Sequence, residues 1–491
     1  MGKILATAIA AWLMGCTGLV AQQLPNNAGG SVPSVSGSSG QQTANKGQTT
    51  GTETPATSAS RAQPPLSGFG SSEIGQTGET RSYILPSIEA SGSGDTNAEQ
   101  VAGHPGLNYY STYVWNLELQ RVKRTSQFNL SYAGGERLYS SPLNAGTAGG
   151  SDRAYGFHSL AMGEQVTRRR LAFKLLDTFS YLPESQYGFG GFSGLNSFGG
   201  GLGAAAFANA PSLQSILLPN QTVLTGRARS LSNLATAELD YQTSRRSEVT
   251  VGGGYGTLQY IDPGFINSYY WLAQTGYNHQ LSRRDQIGII YSATVLKFNG
   301  INQEILNQGL ELAYGHQITN KLALKLAAGP QVTDLSLPIG GSLVQWFLAT
   351  DDSLEYRLAK RRSVRVSFAR TLTNGSGVLF GAESDVVRAE LYNSFTRNWS
   401  GSLSLGYARN QALSQLPAAA AGIKYQAYVG SASINRQLGK TISMFISYSV
   451  QRQVSDSLVA VGGSGLGPAY LRQIVTVGIN WHGHPRLLDG I

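Results

Sequence analysis

Side chains able to do covalent or metal chemistry are sparse in this chain of 491 residues. The histidines are scattered, and no motif joins one of them to a nucleophile: His104, His158, His279 and His316. No Gly-x-Ser-x-Gly elbow occurs, and the Gly-rich segment 184–230 lacks the Gly-Lys-Ser/Thr of a phosphate cradle. His482 and His484 would need a third ligand to hold a metal, and a chance pair in a terminal tail explains them better. We therefore predict no enzyme, no metal site and no cofactor.

Charged side chains within alternating apolar and polar segments suggest a different chemistry. Successive side chains of a strand point to opposite faces, so residues on the polar register share one face. That face carries both signs of charge: Glu118, Glu238, Asp240, Glu311, Lys325, Glu355, Arg357, Arg365, Arg388 and Glu390. These side chains would line a hydrated pore and orient polar solutes. Alternatively, they would pair with one another and fill or stiffen the structure.

The segments that carry these charges have the period of β-strands. In Thr441–Val450, apolar residues alternate with serines. About eighteen such segments repeat without intervening helical patterns, which predicts an all-β, antiparallel, up-and-down transmembrane barrel of about 18 strands, with 16 as the fallback. They start near residues 81, 108, 125, 153, 170, 231, 247, 268, 286, 306, 321, 348, 362, 384, 399, 425, 441 and 471. Asp177 falls on the apolar register of its segment, so we expect a bulge there.

The composition agrees with a barrel. Charged residues make up 13%, against about a quarter in typical soluble domains. Basic residues cluster in the short turns between strands, so the net charge of +9 does not indicate nucleic-acid binding. Such a basic ring either keeps the turns soluble or attracts anionic lipid headgroups.

The chain divides into four predicted parts. Residues 1–21 resemble an export signal, with cleavage after Ala21 or, if Leu13–Cys16 is a lipobox, lipidation of Cys16. Residues 22–80 form a low-complexity tail with few large apolar residues, which we expect to be disordered and periplasmic. Residues 81–482 form the barrel, and 483–491 are a C-terminal extension. Only with a first strand at 81–89 do both ends of the barrel lie at the short-turn, periplasmic side.

One long loop stands apart from the others. Residues 184–230 are rich in glycine and include the apolar stretch Ile216–Leu218. Long loops without structure of their own are usually functional or disordered. We expect either a mobile surface loop or one folded into the lumen to narrow it.

The last segment resembles the C-terminal signal that the barrel-assembly machinery recognises, through Thr476, Gly478 and Trp481, although the chain continues past the aromatic residue. As a whole, 81–481 resembles porin-like bacterial outer-membrane barrels and, less closely, barrels associated with exopolysaccharide export. The resemblance implies a channel for passive or weakly selective diffusion of small polar solutes. It also implies outer-membrane lipid and the assembly machinery as partners, and a possible homotrimer. The alternatives are a polysaccharide-export or secretion-associated barrel, and a structural barrel with outward binding loops.

Overall fold

Long antiparallel strands make up most of the protein. A computed structural model describes residues 66–67, 82–100, 106–143, 153–182, 228–262, 264–300, 303–336, 341–359, 362–413, 424–455, 469–484 and 486–488. The predicted signal segment 1–21 with Cys16, and all of the loop 184–230 before Ala228, lie outside these ranges.

Eighteen long strands and one short one follow each other along the chain. Their bounds are β1 (Tyr83–Asp95), β2 (Asn108–Val122), β3 (Ser126–Tyr139), β4 (Ala154–Arg168), β5 (Leu171–Leu182), β6 (Ser230–Gln242), β7 (Ser247–Tyr260), β8 (Ser268–Gln280), β9 (Asp285–Phe298), β10 (Glu304–Thr319), β11 (Leu322–Ser336), β12 (Ser342–Ala359), β13 (Arg362–Thr373), β14 (Ala382–Ser394), β15 (Trp399–Ala412), β16 (Lys424–Gln437), β17 (Ile442–Ser455), β18 (Tyr470–His482) and β19 (Arg486–Leu487). A short 3-10 turn, Gly375–Gly377, lies between β13 and β14.

Each of the strands β1–β18 pairs with its neighbours in sequence, and β1 pairs with β18 to close the barrel. The closing register runs from Ser87 opposite His482 to Asp95 opposite Ile474. Beyond His482 the chain continues as β19, which pairs Leu487 with Tyr83 and Arg486 with Ile84. The predicted C-terminal extension therefore includes two residues that cover the part of β1 that β18 does not reach.

The predicted strands are confirmed, including the uncertain first one. Seventeen begin within two residues of the expected position, whereas β12 begins at Ser342 instead of near residue 348. The reason is the sequence Leu343–Phe347, where two pairs of adjacent apolar residues interrupt the alternation. Both the start of β1 and the end of β18 lie at the short-turn end, as the parity argument requires.

The outer surface carries a band of exposed apolar side chains. It includes Val251, Ile289, Leu312 and Val477. Exposed aromatic residues lie at the short-turn ends of many strands and form a girdle: Tyr241, Tyr277, Tyr314, Tyr356, Trp399 and Trp481. An apolar band bordered by aromatic residues is the surface of a barrel that spans a membrane. Among the described residues, no helix has the length and apolar character needed to cross a bilayer.

The bulge expected at Asp177 is not present. The pairing of β5 with β4 and with β6 passes through Asp177 without a shift. Instead, Asn233 of β6 donates its Nδ2 to Asp177 Oδ1 at 2.8 Å. The neighbouring amide therefore gives the carboxylate a hydrogen-bond partner on the outer register. No bulge is needed to turn the Asp177 side chain toward the lumen.

Two residues of the predicted tail also have a place in the fold. Leu66 and Ser67 contact the inner face of the barrel wall. The sequence pattern gave no indication of this contact.

Candidate functional site: the barrel lumen

The ten charged residues predicted to share a face do share one. Each lies on the register of its strand opposite to the exposed apolar side chains, for example Glu355 between exposed Leu354 and Tyr356. That face is the inner wall of the barrel. Their participation in conduction stays a prediction.

Most of these residues form a belt on β10–β14, which we call the charged belt. Its members are seven of the ten, Glu311, Lys325, Glu355, Arg357, Arg365, Arg388 and Glu390, together with Asp351, which sequence reasoning missed. Lys325 Nζ lies 2.8 Å from Asp351 Oδ2, and Arg365 lies 3.5 Å from Glu355 Oε2. Arg365 is also directly opposite Glu390 in the β13–β14 ladder. Charges of both signs therefore alternate across neighbouring strands of one side of the lumen.

The belt keeps contact with solvent. The side chains of Lys325 and Asp351 are 24% and 17% exposed, and those of Arg365 and Glu355 are 21% and 33% exposed. Paired charges that still reach water can interact with a passing solute, because their attraction for each other is partly screened.

A second group of charges is buried near the short-turn end of β5 and β6. Lys174 Nζ lies 2.7 Å from Glu238 Oε1 and 2.8 Å from Asp240 Oδ2, and all three side chains are almost fully buried. Sequence reasoning found the two acids but missed Lys174. A signal was present, because Lys174 lies on the register opposite to the apolar residues Phe173 and Leu175. The ladder places it directly across from Glu238.

A third group closes the seam of the barrel at the long-loop end. Arg472 of β18 binds Asp95 of β1 through two nitrogens, with Nε at 2.8 Å and Nη2 at 2.5 Å from Asp95 Oδ2. Both side chains are 0% exposed. Sequence reasoning missed this pair, because only barrel closure brings the first and last strands together.

The loop between β13 and β14 folds into the lumen. Its residues 374–381 cross toward β7–β10, where the backbone N of Ile266 donates to Gly377 O at 2.8 Å. Phe380 packs edge-on against Phe298 with ring centroids 5.4 Å apart. Gly375, Gly377 and Gly381 have positive φ, and a Cβ at Gly377 would lie 2.1 Å from the ring of Tyr260. Glycine is required here by the backbone conformation and by the close approach.

A second loop covers the lumen beside the seam. Residues 96–100 follow β1, with Ala98 fully buried against Tyr110, Tyr139 and Ile474. Tyr470 donates its hydroxyl to Gln100 Oε1 at 3.3 Å. The two alternatives for the loop 184–230 concern residues that, before Ala228, lie outside the described ranges. These two shorter loops lie over the lumen at its long-loop end. Sequence reasoning missed both, because neither has unusual length.

Within the described ranges, two histidines contact serine or aspartate, and both lie near short turns. Ser247 Oγ lies 2.9 Å from His279 Nδ1, and His316 Nδ1 lies 2.7 Å from Asp285 Oδ1. Asp285 also accepts a hydrogen bond from Ser282. In that cluster the carboxylate lies between serine and histidine, so the histidine does not reach the hydroxyl as a general base must. In the part of the chain that is described, no group of three metal-ligating side chains occurs.

The three residues of the predicted assembly signal have structural contacts in β18. Thr476 lies 2.9 Å from the hydroxyl of Ser93 across the seam, and a Cβ at Gly478 would lie 2.5 Å from the Phe445 ring. Trp481 is exposed in the short-turn girdle. Recognition of this strand by the assembly machinery stays a prediction.

Comparison with known proteins finds solved structures of similar fold at low sequence identity. The chain matches no protein-family profile and no curated protein sequence. Among solved structures, it is similar to the outer membrane protein OpdK (OccK1) of Pseudomonas aeruginosa, at 9% identity and a TM-score of 0.41, covering 82% of this chain and 99% of that one. A BenF-like porin of Pseudomonas fluorescens is 10% identical with a TM-score of 0.41, over 83% and 98% of the two chains. The FrpB iron transporter of Neisseria meningitidis is 7% identical with a TM-score of 0.40, over 82% of each chain.

Proposed function

We propose that this protein is a porin-like channel of the bacterial outer membrane that passes small polar solutes by passive or weakly selective diffusion. The observation that carries the proposal is the charged belt on the inner wall of a closed 18-stranded barrel. Barrels of 16–18 strands are wide enough to leave an aqueous channel between their inward side chains.

The exposure of the ion pairs supports a pore rather than a filled barrel. Arg472 with Asp95, and Lys174 with Glu238, are buried and satisfied, as expected for pairs that stiffen the wall. Lys325 with Asp351, and Arg365 with Glu355, are partly exposed. The two interpretations left open by the sequence therefore apply to different residues, and the charged belt is the set available to solutes.

The mixed sign of the belt favours small solutes over an acidic polymer. A polymer of one charge would be held best by a wall of the opposite charge, whereas acids and bases alternate here across β10–β14. Glu118 fits the same picture on the other side of the lumen, where it accepts a hydrogen bond from the Tyr83 hydroxyl at 2.8 Å.

The proposed function involves binding partners but no catalysed reaction. Outer-membrane lipid would contact the apolar band, and the assembly machinery would insert the barrel. A homotrimer, common among porins, is part of the proposal. No catalytic step is assigned.

Single-channel recording from purified protein in a planar bilayer tests the function. We expect discrete ohmic current steps in salt solution, with small sugars passing and long polysaccharides leaving the current unchanged. Blockade by a polysaccharide at low concentration would favour the export-associated barrel instead. Current at the level of protein-free bilayers, from protein whose barrel is shown intact by heat-modifiable gel mobility, would contradict the channel and favour a structural barrel with binding loops.

A further inference from the structure

The inner wall near the short-turn end carries a bound dipeptide from the protein itself. Leu66 and Ser67 lie against β7–β11, on the side of the wall that faces the lumen. Both are far in sequence from the strands that they contact, with Ser67 and Asn278 separated by 211 positions. The contact is therefore a docking interaction and not a consequence of chain connectivity.

Ser67 is held by hydrogen bonds through its backbone N and its hydroxyl. Its backbone N donates to Asn278 Oδ1 at 3.0 Å, and its hydroxyl lies 2.7 Å from the hydroxyl of Thr250. Asn278 also donates its Nδ2 to Ser67 Oγ. Ser67 is 0% exposed, and Thr250 and Asn278 are each 2% exposed. Buried hydrogen bonds stabilise a contact only when donor and acceptor fit each other, so the site is specific for this backbone and hydroxyl.

Leu66 lies in a small apolar site beside this polar one. It packs against the cluster formed by Ile290, Ala313 and Ala327. Alanines at two of the three positions leave room for the leucine side chain, since larger residues would occupy the same volume.

Three glycines on consecutive strands form the floor of the site. A Cβ at Gly276 of β8 would lie 2.3 Å from Ser67 Cβ, and one at Gly315 of β10 would lie 2.9 Å from Leu66 Cδ2. At Gly288 of β9, a Cβ would lie 3.6 Å from Leu66 Cβ. A side chain at Gly276 would collide with Ser67 Cβ, so the close approach of the dipeptide depends on glycine there. At Gly315 only the terminal methyl of Leu66 would have to move.

From these contacts we infer that the lumen wall contains an internal peptide-binding site whose ligand is the chain's own Leu66–Ser67, and that the docked segment narrows the short-turn opening. The site takes an aliphatic residue followed by a small hydroxyl residue. Thr250 and Asn278 recognise the hydroxyl and the backbone, and the alanines and glycines select the aliphatic residue by shape. The narrowing rests on the proposed channel function, whereas the docking does not.

A disulfide test examines docking without any measurement of current. The double variant Ser67→Cys/Thr250→Cys places two thiols where hydroxyls lie 2.7 Å apart, a separation that permits a bridge. We expect oxidant to convert most of the folded protein to a form of altered mobility on non-reducing gels, reversed by reductant. The matched control is Ser67→Cys/Ser443→Cys, because Ser443 is buried on the inner register of β17, across the barrel from β8. The single variant Ser67→Cys controls for bridges to the native Cys16. Equal crosslinking in both double variants, or none in either, would overturn docking.

A conductance test examines the narrowing. In Leu66→Asp/Ser67→Asp, carboxylates replace the groups that enter the buried site, so the segment should leave the wall. We expect single-channel conductance to rise about 1.5-fold or more, because the open cross-section of the lumen limits current. Ser443→Asp adds a charge on the opposite wall and should leave the conductance near that of the unmodified protein.

The outcomes separate the two proposals. A conducting protein whose conductance does not change in Leu66→Asp/Ser67→Asp would overturn the narrowing. If neither protein conducts, the channel function fails while the disulfide result still decides docking. A silent parent protein and a conducting variant would support docking as the closed state of the pore.

Discussion

At the scale of single residues, the inner wall has two kinds of ion pair that should respond differently to mutation. Arg472 and Asp95 are fully buried, whereas Arg357 next to Glu355 is 70% exposed. Removing one partner of a buried pair leaves an uncompensated charge in a site without water. Removing a solvent-exposed partner costs little, because water solvates the remaining charge.

Arg472→Met should therefore destabilise the barrel strongly. The expected loss in the free energy of unfolding is about 3–5 kcal/mol for a broken buried pair. Urea unfolding of the refolded protein in lipid vesicles measures it. Arg357→Met serves as the matched control and should change stability by less than about 1 kcal/mol. Equal effects of the two substitutions would show that the seam pair is not a structural contact.

Lys325→Met should change ion selectivity. The substitution leaves Asp351 without its partner at 2.8 Å, so the charged belt gains net negative charge and favours cations. The reversal potential across a salt gradient measures the shift. Arg436, which lies 5.1 Å from the Trp399 ring on the outer register, provides the control variant Arg436→Met. A similar shift in both variants would mean that the belt does not face the permeation path.

At the scale of elements, the strand pattern and the loops contribute different things. The strands differ little from one another, and their alternation alone fixes which side chains reach lipid and which reach the lumen. The loops decide how much of the lumen stays open. The 374–381 loop is held by Phe380 against Phe298, by Ile266 N to Gly377 O, and by Asn374 Nδ2 to Ser268 Oγ at 3.3 Å.

Removing the apolar contacts of this loop should widen the mouth. In the triple variant Val378→Ser/Leu379→Ser/Phe380→Ser, the loop loses its packing against the wall, so we expect higher single-channel conductance and larger current fluctuations. The same planar bilayer recording measures both. Phe395→Ser, at an exposed aromatic residue of a short turn, is the control. Unchanged conductance and noise in the triple variant would show that the loop does not limit the current.

At the scale of the whole molecule, closure of the barrel removes the free edges that an open sheet would present to lipid. β1 begins at Tyr83, but its pairing with β18 begins only at Ser87, so β18 leaves the first residues of β1 unpaired on that side. Past His482 the chain continues as β19, which pairs with Tyr83 and Ile84 of β1. Leu488 N also donates to Ser82 O at 3.0 Å.

Truncation after His484 should therefore loosen the seam. The loss of two ladder pairs and one backbone hydrogen bond should reduce the free energy of unfolding by about 1–3 kcal/mol. The temperature at which the folded band converts to the unfolded band on a cold gel reports the change. Truncation after Leu488 keeps β19 and should behave like the full chain. Identical behaviour of both truncated proteins would mean that β19 does not contribute to closure.

The sequence alone predicted the strands of the barrel wall, but it did not predict the contacts inside the lumen. Alternation predicted the strands and placed Glu355 and Arg365 on one face, because side-chain direction in a strand is a local property. It failed at Asp177, where a neighbouring amide supplied the partner that the pattern could not show. It also missed Lys174, because the apolar residues Ala172 and Leu176 flank it on the inner register and hide the alternation.

The sequence by itself determined the barrel, its strand count, its two ends and ten of the charged residues on its inner wall. These features follow from period-two alternation and from short basic turns, and both are patterns among residues close together in the chain. The tertiary structure alone decided which charges pair, which loops fold inward and where Leu66–Ser67 docks. Each of these is a contact between segments far apart in the chain, such as Asp95 with Arg472 or Ser67 with Thr250. Their meeting depends on closure of the wall, and no local pattern encodes it.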